Sequence, residues 1–324
     1  MRAAFVEELG PAEAIRYGQL PDPRPGPGQL LVRVEAVAAN PVDTLVRSGG
    51  YPTRLPFPFV VGRDLVGVVE AAGPGAGRFP AGTRVWSGSL GHDGRQGSFA
   101  EHACVDEQRL YRLPDGVDPL AAVAAVHPAT TAYTGLVHHA GARRGEWLLV
   151  GGAAGNVGSA ALRLAVDLGC EVVATARGEE DLAGCRRAGA AHAFDYRDPE
   201  LTAKVRAAVG GVDVHWDTSG RGDLGAAVEL LAERGRILLT AVGGGARLPL
   251  PVRPFYVKGA RLVGFAISRS SIGELAEAAA AVNRLLAAGR LRPRIAQVLP
   301  LAEAATAHRL LESGHVRGRL LLRP

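Results

Sequence analysis

The chain has 324 residues, of which 47% are apolar and 21% charged, a composition typical of a globular protein with room for two domains. Its net charge of +5 comes from basic residues interspersed with acidic ones, which argues against a nucleic-acid surface, where a clustered basic stripe with aromatic residues is expected. No uninterrupted run of about 18 apolar residues predicts a membrane span, and no apolar signal-peptide core opens the sequence, so a cytoplasmic protein is expected.

The first 115 or so residues are predicted to be rich in β-strands. Short apolar stretches, several of them alternating, are separated by segments such as PDPRPGPG and GPGAGRFPAG, which glycine and proline turn. The predicted strands are AAFVEEL, QLLVRVEAVAA, DLVGVVEAAG, TRVWSGS and SFAEHACVD. A helix-like segment, DPLAAVAAVHPATTAYTGLVHHAG, follows and leads into a different pattern.

From Glu146 onward, predicted strands and helices alternate. This order predicts right-handed βαβ crossovers and a mostly parallel, doubly wound sheet. The predicted strands are WLLVGG, CEVVATA, HAFDY, VDVHWDT, RILLTAV and ARLVGFAI, and the helices between the first five are NVGSAALRLAVDLG, EEDLAGCRRAGA, PELTAKVRAAVG and DLGAAVELLAERG.

The last part of the chain contains a long helix, IGELAEAAAAVNRLLAAG, and then a strand, a helix and a final strand. We expect these C-terminal strands to rejoin the first domain, so that the doubly wound sheet is an insertion. The predicted domains are therefore 1–118 with 268–324, rich in β-strands, and 119–267, which binds a dinucleotide.

A glycine-rich loop joins the first strand and helix of the doubly wound part, in VGGAAGNVGSAAL. Gly152, Gly155 and Gly158 lie three residues apart at the start of a helix, where free backbone N–H groups suit a pyrophosphate. A plain βα turn is the alternative, but the flanking strand, helix and second strand favour a dinucleotide. The residues expected to contact the cofactor here are Gly152, Ala153, Gly155, Asn156 and Val157.

The tip of the second strand, VVATARGEED, bears on the cofactor's identity. A site for NAD usually places Asp or Glu there, whereas this chain has Thr175, Ala176 and Arg177. Because a guanidinium can pair with a 2′-phosphate, NADPH is favoured over NADH, although Glu179 and Glu180 weaken the positive field.

Together, NPVDTLVRSGGY, VGRDLVGVVEAAG and LLVGGAAGNVGSAALRLA resemble the medium-chain dehydrogenase/reductase superfamily, and most closely its zinc-free quinone oxidoreductases, the zeta-crystallin-like proteins. The resemblance extends over essentially the whole chain, to GRILLTAVG and GHVRGRLLL. It implies an α/β fold with a GroES-like, β-rich catalytic domain and a doubly wound Rossmann domain for the dinucleotide.

The resemblance also implies that no zinc is bound. Asn40 occupies the position of a cysteine ligand in the zinc alcohol dehydrogenases of the superfamily, and their Gly-His-Glu segment reads Gly62, Arg63, Asp64 here. An amide is a poor zinc ligand, and a guanidinium is a permanent cation. The structural zinc lobe of these enzymes has four cysteines, whereas here only Cys104 lies in that region.

By the same resemblance, Asn40 and Thr131 face the nicotinamide and are the candidate catalytic residues. A turn-forming Asn40 before Pro41 and a Thr131 bonded to its own helix are the structural alternatives. Thr175 and Arg177 at the tip of the second strand are also expected to contact the cofactor, as are Thr218, Val242 and Gly243, which end later strands at the carboxyl edge where ligands bind. Four further positions match cofactor contacts of the family, namely Tyr196, Phe265, Ala266 and Arg319.

We interpret Asp43, Arg47, Arg63 and Asp64 as a salt-bridged frame, and the histidines of the linker helix, including His127, as packing residues. Leu45 stands where quinone reductases of the family often have a tyrosine. This difference removes a candidate hydroxyl donor to the substrate.

The function that follows is hydride transfer from NADPH to a quinone or related α,β-unsaturated carbonyl compound, without zinc and in a homodimer. An enoyl-thioester reductase of the same superfamily is the alternative within enzymes. A non-catalytic NADPH-binding protein, crystallin-like or RNA-binding, is the alternative from another class.

Overall fold

The computed structural model describes residues 1–240 and 247–324. Two compact units emerge from the contacts within the chain. Unit 1 comprises Met1–His127 and Ser271–Pro324, and unit 2 is the intervening Pro128–Ser270. The predicted domain bounds, near 118 and 268, stay a prediction.

The N-terminal part of unit 1 consists mainly of strands, as its alternating apolar pattern predicts. The strands are β1 (Arg2–Val6), β2 (Arg16–Gln19), β3 (Gln29–Ala39), β4 (Phe59–Val60), β5 (Asp64–Ala72), β6 (Arg84–Ser87), β7 (His102–Asp106) and β8 (Tyr111–Arg112). One helix, α1 (Pro41–Ser48), follows β3, and α2 (Pro119–Tyr133) leads out of the unit and continues as a π-helix over Thr134–His139.

Unit 2 alternates strands and helices as the sequence predicts. Its strands are β9 (Trp147–Gly151), β10 (Glu171–Ala176), β11 (His192–Asp195), β12 (Val212–Asp217), β13 (Leu231–Leu239) and β14 (Arg261–Gly264). Its helices are α3 (Asn156–Asp167), α4 (Glu179–Arg187), α5 (Leu201–Val209), α6 (Leu224–Leu230) and α7 (Val252–Val257). The chain then returns to unit 1 through α8 (Ile272–Ala287), β15 (Ile295–Pro300), α9 (Ala304–Glu312) and β16 (Arg319–Arg323).

The six strands of unit 2 form one parallel sheet in the order β11-β10-β9-β12-β13-β14. Chain order reverses between β9 and β12, which is the switch point where ligands of doubly wound folds bind, at the carboxyl ends of the strands. The predicted α/β fold of this part is therefore confirmed.

The predicted helix over DLGAAVELLAERG is wrong at its C-terminal end. The helix α6 stops at Leu230, and Leu231 is already extended and paired with Val212 of β12. Lys258 Nζ donates to the carbonyls of Val228 and Glu229, and Arg206 Nη2 also donates to the Glu229 carbonyl. The last carbonyls of α6, which have no partner within the helix, are thus bonded by side chains from outside it.

In unit 1, the C-terminal strand β16 pairs with β3, so residues far apart in the sequence share one sheet of order β15-β16-β3-β5-β6-β8. The strand β7 also pairs with β3, and a smaller sheet has the order β2-β1-β4. The apolar side chains between these sheets and α9 form the core of the unit, with Leu30, Leu65 and Phe99 fully buried.

One described helical segment, Pro119–His139, is long and apolar enough to cross a membrane, and 78% of its most apolar window is buried inside the protein. Such burial is typical of a core helix. All three cysteines are free; Cys170 and Cys185 are buried, whereas Cys104 is only half-buried.

Candidate functional site

The turn between β3 and α1 brings Asn40 and Asp43 together. Asn40 precedes the first turn of α1 with an extended backbone, and Pro41 supplies the fixed φ that the first helical position favours. The backbone N–H of Asn40 donates to Asp43 Oδ2 at 2.9 Å, and the N–H of Asp43 donates to the Asn40 carbonyl at 2.9 Å. Local sequence therefore explains how these two polar side chains are placed at the end of β3.

The amide of Asn40 is fully occupied by hydrogen bonds within unit 1. Its Nδ2 donates to Asp64 Oδ2 at 2.9 Å, to the Ala38 carbonyl at 3.2 Å and to Asp43 Oδ2 at 3.3 Å. Its Oδ1 accepts from Arg319 Nη2 at 2.9 Å. Because only 1% of Asn40 is exposed, these partners fix the amide in place.

Two carboxylates and two guanidiniums surround this amide. Arg63 Nε lies 3.5 Å from Asp43 Oδ1, and Arg319 Nη2 lies 3.4 Å from Asp64 Oδ2. All four charged residues are at most 4% exposed, so each charge depends on its partners for stabilisation. We call these five residues the ionic cluster: Asn40, Asp43, Arg63, Asp64 and Arg319.

A glycine places Arg63 and Asp64 in the ionic cluster. Gly62 has a φ of +90°, and a Cβ there would lie 2.2 Å from Cδ1 of Phe99. Only glycine fits this tight approach with a left-handed backbone. The strand β5 begins two residues later, and it fixes Asp64 opposite Ala38 of β3.

Burial shifts the acid–base properties of the cluster. Desolvation raises the pKa of Asp64 to about 7, although Arg319 stabilises the ionised carboxylate, and it also raises the pKa of Asp43 against the opposing effect of Arg63. These carboxyl groups repel each other as well, which adds to the rise at Asp64. The cluster therefore holds protons more tightly than exposed carboxylates do.

Interpreting His127 only as a packing residue missed its contact with Asp64. His127 Nδ1 lies 3.5 Å from Asp64 Oδ1 and 3.4 Å from the Gly88 carbonyl. Burial, together with Arg63 and Arg319, lowers the pKa of His127 to about 3, so its ring is neutral at pH 7. No spacing pattern could have identified this contact, because 63 residues separate the two side chains and only the fold joins them.

The predicted frame of salt bridges is present, but Asp43 and Arg47 of α1 pair with residues outside the helix and not with each other. Asp43 pairs with Arg63, whereas Arg47 extends to Glu312 on α9. Leu45 of the same helix has 47% of its surface exposed, and it offers no hydroxyl group. The helix α1 is thus fixed by ionic contacts on one face and exposes an apolar side chain on another.

The ionic cluster does not fit a zinc ion. The amide of Asn40 is already bonded to four groups, and the guanidinium of Arg63 is a cation with no lone pair to donate. Within residues 1–240 and 247–324, no group of three or more His, Cys, Asp or Glu side chains could hold a metal ion.

The predicted glycine loop of unit 2 forms a tight turn between β9 and α3, which we call the glycine turn (residues 152–158). Gly152 has a φ of +67°, and Gly155 immediately precedes α3. A Cβ on Gly158 would lie 2.2 Å from the Gly152 carbonyl oxygen, so helix and strand are in contact at this glycine. Asn156 and Val157 begin the helix, where backbone N–H groups point toward the turn.

Neighbouring strands hold the glycine turn from both sides. The N–H of Ala153 donates to the Thr175 carbonyl at 2.9 Å, at the carboxyl end of β10. The hydroxyl of Thr218, just after β12, donates to the Gly151 carbonyl at 2.8 Å. The turn is therefore a rigid backbone cradle of the kind that binds a pyrophosphate, and its residues fit a dinucleotide.

The residues predicted for the adenosine end surround the tip of β10. Thr175 is buried, Arg177 is exposed, and Tyr196 is 48% exposed with its N–H bonded to the Ala176 carbonyl at 3.2 Å. A second arginine that the sequence reasoning missed, Arg197, pairs with Asp195 at 2.6 Å. Among the described residues, Arg197 is thus neutralised by Asp195, and Arg177 remains the candidate for a 2′-phosphate contact.

Some of the residues predicted to contact the nicotinamide pack against other side chains, and others lie outside the described residues. The ring of Phe265 stacks on His139 at 4.6 Å and packs against Trp216, while Ala266 follows at the end of β14. Thr131 is 8% exposed on α2. Val242 and Gly243 lie outside the described residues, and Arg319 has its guanidinium buried in the ionic cluster of unit 1.

A β-rich unit with an ionic cluster and a parallel sheet with a glycine turn define a two-domain, dinucleotide-dependent dehydrogenase or reductase. Two family models match the chain: the "Alcohol dehydrogenase GroES-like domain" over residues 26–115 and the "Zinc-binding dehydrogenase" over residues 156–284. The name of the second model does not require zinc here, because its match lies outside Asn40 and Arg63.

Quinone oxidoreductase from Homo sapiens is 32% identical over 99% of this chain and 97% of its own length. A structure of Escherichia coli quinone oxidoreductase complexed with NADPH has a TM-score of 0.87 at 25% identity, covering 100% of both chains. An NAD-dependent alcohol dehydrogenase structure gives a TM-score of 0.90 at 31% identity, also covering 100% of both. The chain belongs to the quinone oxidoreductase family of the medium-chain dehydrogenase/reductase superfamily, and it is an oxidoreductase.

Proposed function

We propose that the protein uses NADPH to reduce a quinone or a related α,β-unsaturated carbonyl compound. The glycine turn carries this proposal, because hydride transfer requires a bound nicotinamide nucleotide. A Cβ on Gly158 would lie 2.2 Å from the Gly152 carbonyl oxygen, and such close packing is typical of a turn that binds a pyrophosphate. The relatives named quinone oxidoreductase support the acceptor class.

The proposed cofactor contacts begin at the glycine turn and continue toward the adenosine side of the site. Gly152, Ala153, Gly155, Asn156 and Val157 bind the pyrophosphate through their backbone. On the adenosine side Thr175 and Tyr196 line the site, and Arg177 binds the 2′-phosphate. NADPH, when bound, supplies the hydride that the acceptor takes up.

Residues on the nicotinamide side have supporting roles in the proposal. Thr218, Phe265 and Ala266 would hold the nicotinamide end of a bound cofactor, and Thr131 would contribute a hydroxyl group there. Asn40 acts as a positioning residue, since its amide is saturated by the ionic cluster, and Arg319 acts through the same cluster. Burial and these hydrogen bonds hold the polar groups in one arrangement before the substrate arrives.

We also propose a homodimer formed through β14. This strand is at the edge of the unit 2 sheet, and an edge strand offers unpaired N–H and C=O groups. Leu262 on the strand is 40% exposed, and Tyr256 and Val257 nearby in the chain are 63% and 64% exposed. Sedimentation of the wild type and of Leu262→Arg tests this: a dimer that survives in the variant would contradict it.

We also propose that the protein is located in the cytoplasm, because its three free cysteines favour a reducing compartment.

The experiment that tests the function follows NADPH oxidation with a panel of quinones, enones and enoyl thioesters. Turnover with quinones or enones is the expected result. Turnover confined to thioesters would instead indicate the enoyl-thioester reductase, and tight NADPH binding without turnover of any acceptor would indicate a binding protein.

A further inference from the structure

Two arginines of unit 1 converge on Ser89. Arg95 Nε donates to the Ser89 carbonyl at 3.3 Å, and Arg109 Nη1 donates to the Ser89 hydroxyl at 3.4 Å. Both arginines are half-buried. One short segment of backbone thus orients two guanidiniums in the same place.

This segment lies against the ionic cluster. On one side of Ser89, the Gly88 carbonyl is 3.4 Å from His127 Nδ1. On the other side, the Leu90 N–H donates to the Arg63 carbonyl at 3.2 Å. The paired arginines therefore lie on a segment that contacts Arg63 of the ionic cluster, the cluster to which the positioning residue Asn40 belongs.

The charge of Arg95 is not neutralised by an ion pair. Within the part of the chain that the structure describes, no carboxylate pairs with its guanidinium, and Asp93 and Asp106 act on it only through space. Asp106 is 3.8 Å from Arg109 Nε and also accepts a hydrogen bond from Gln29. Burial and then the proximity of Arg109 lower the pKa of Arg95, because its positive charge is less well solvated than that of a fully exposed guanidinium and lies near a second one.

A half-buried guanidinium without a carboxylate is costly, and an anion that binds to it removes that cost. A surface arginine would be solvated instead, as Arg16 is, with 65% of its side chain exposed in a pair with Glu7. The fork of donors on Arg95 and Arg109 matches a planar, two-oxygen anion. The observations favour a carboxylate over a larger, more highly charged group, because two guanidiniums bond Ser89 among the described residues.

We propose that Arg95, assisted by Arg109, binds a carboxylate on the acceptor, so that the preferred substrate is a quinone or α,β-unsaturated carbonyl compound that carries an acidic group. This inference rests on the proposed function. The acceptor gains a hydride and one proton while the nicotinamide nucleotide is oxidised, and the acidic group keeps its charge and bonds throughout. Arg95 and Arg109 are then specificity residues.

A matched pair of acceptors tests the proposal, namely naphthoquinone and its carboxylate derivative, each reduced with NADPH. In Arg95→Gln, kcat/KM for the carboxylate should fall by about 10- to 100-fold, the worth of one charged hydrogen bond, while that for naphthoquinone stays unchanged. Arg16→Gln removes the same charge from the surface, and it should alter neither value. In the wild type, added salt should raise KM for the carboxylate alone.

Arg95→Lys keeps the charge without the fork and should recover part of the loss. An equal loss with both acceptors, or an unchanged kcat/KM for the carboxylate, would overturn the role of Arg95 while leaving the reductase intact. If the wild type oxidises NADPH with neither acceptor but does so with other quinones, the acidic substrate class is wrong. No turnover with any acceptor would reject the proposed function itself, and this inference with it.

Discussion

The ionic cluster of unit 1 and the glycine turn of unit 2 are built from different parts of the polypeptide. The cluster consists of side chains, and its hydrogen bonds join residues 24 and 279 positions apart in the sequence. The glycine turn consists of backbone within seven consecutive residues, and it needs glycine for φ and for close packing. Consecutive residues specify a backbone site of this kind, whereas the partners in a buried charge network come from distant parts of the sequence.

The two regions also fail differently when they are perturbed. Charges in the cluster compensate one another, so the loss of one partner leaves another buried and unpaired. The glycine turn has no side-chain charge to lose, so we expect steric intrusion to disturb it most.

The largest effect is expected for Arg319→Met in the cluster. This change leaves Asp64 without its cation, so the free energy of unfolding should fall by about 3–5 kcal/mol. Denaturant unfolding measures it. Arg323→Met on the same strand replaces an exposed arginine and should change stability by less than about 0.5 kcal/mol. Similar values for the two variants would show that the buried pair contributes nothing.

In the glycine turn, Gly158→Ala places a Cβ 2.2 Å from a backbone oxygen, so helix and strand must move apart. We expect a loss of about 1–3 kcal/mol in stability and weaker NADPH binding, measured by denaturation and by fluorescence titration. Gly184→Ala, inside α4, brings its Cβ into ordinary contact with Arg187 Nη2 at 3.9 Å and should instead stabilise the protein by about 0.5–1 kcal/mol. NADPH affinity that is unchanged in Gly158→Ala would reject the cradle.

Asp64 of the cluster and its neighbour His127 should contribute opposite pH dependences to stability, in addition to His215 and His308, whose pKa values burial lowers, whereas the backbone of the glycine turn contributes none. Folded Asp64 keeps its proton up to about pH 7, whereas the unfolded carboxyl loses it near pH 4, so its contribution is present at low pH and lost as the pH rises from 4 to 7. His127 has the opposite sign, because its pKa falls to about 3 on folding and its contribution is lost as the pH falls below 6.5. The two contributions oppose each other between pH 4 and 6.5.

Asp64→Asn removes one side of this balance. Between pH 6.5 and 4, the free energy of unfolding of the variant should fall on acidification more steeply than that of the wild type, by about 1.4 kcal/mol for each pH unit. Denaturant unfolding at a series of pH values measures the slopes. Parallel profiles would mean that Asp64 titrates as an ordinary carboxyl group.

The smallest effect is expected at Arg177, which is exposed and interacts in water. Arg177→Ala should raise the dissociation constant of NADPH about three- to fivefold and leave that of NADH unchanged, because only NADPH carries the 2′-phosphate. Arg187→Ala, an exposed arginine at the end of α4, is the charge-matched control. Equal weakening of both nucleotides in Arg177→Ala would contradict the 2′-phosphate contact.

The sequence alone predicted the regular part of this protein. Alternation of period two and the change to alternating strands and helices predicted the two kinds of sheet, because burial of one face is a local requirement. The spacing of Gly152, Gly155 and Gly158 predicted the glycine turn, because the backbone conformation and close packing of this turn depend on consecutive residues. The identities of Asn40 and Arg63 already argued against a zinc ligand set.

Tertiary structure decided the rest. It determined that Arg47 pairs with Glu312, that Lys258 bonds the last carbonyls of α6, that His127 meets Asp64, and that Arg95 and Arg109 share Ser89. The physical reason is the same in each case: a charge acts on whatever the fold places within a few ångströms, and sequence separation carries no information about that distance. The segment AANPVDTLVRSGG therefore specifies its own helix, while the partners of its charges are specified elsewhere in the chain.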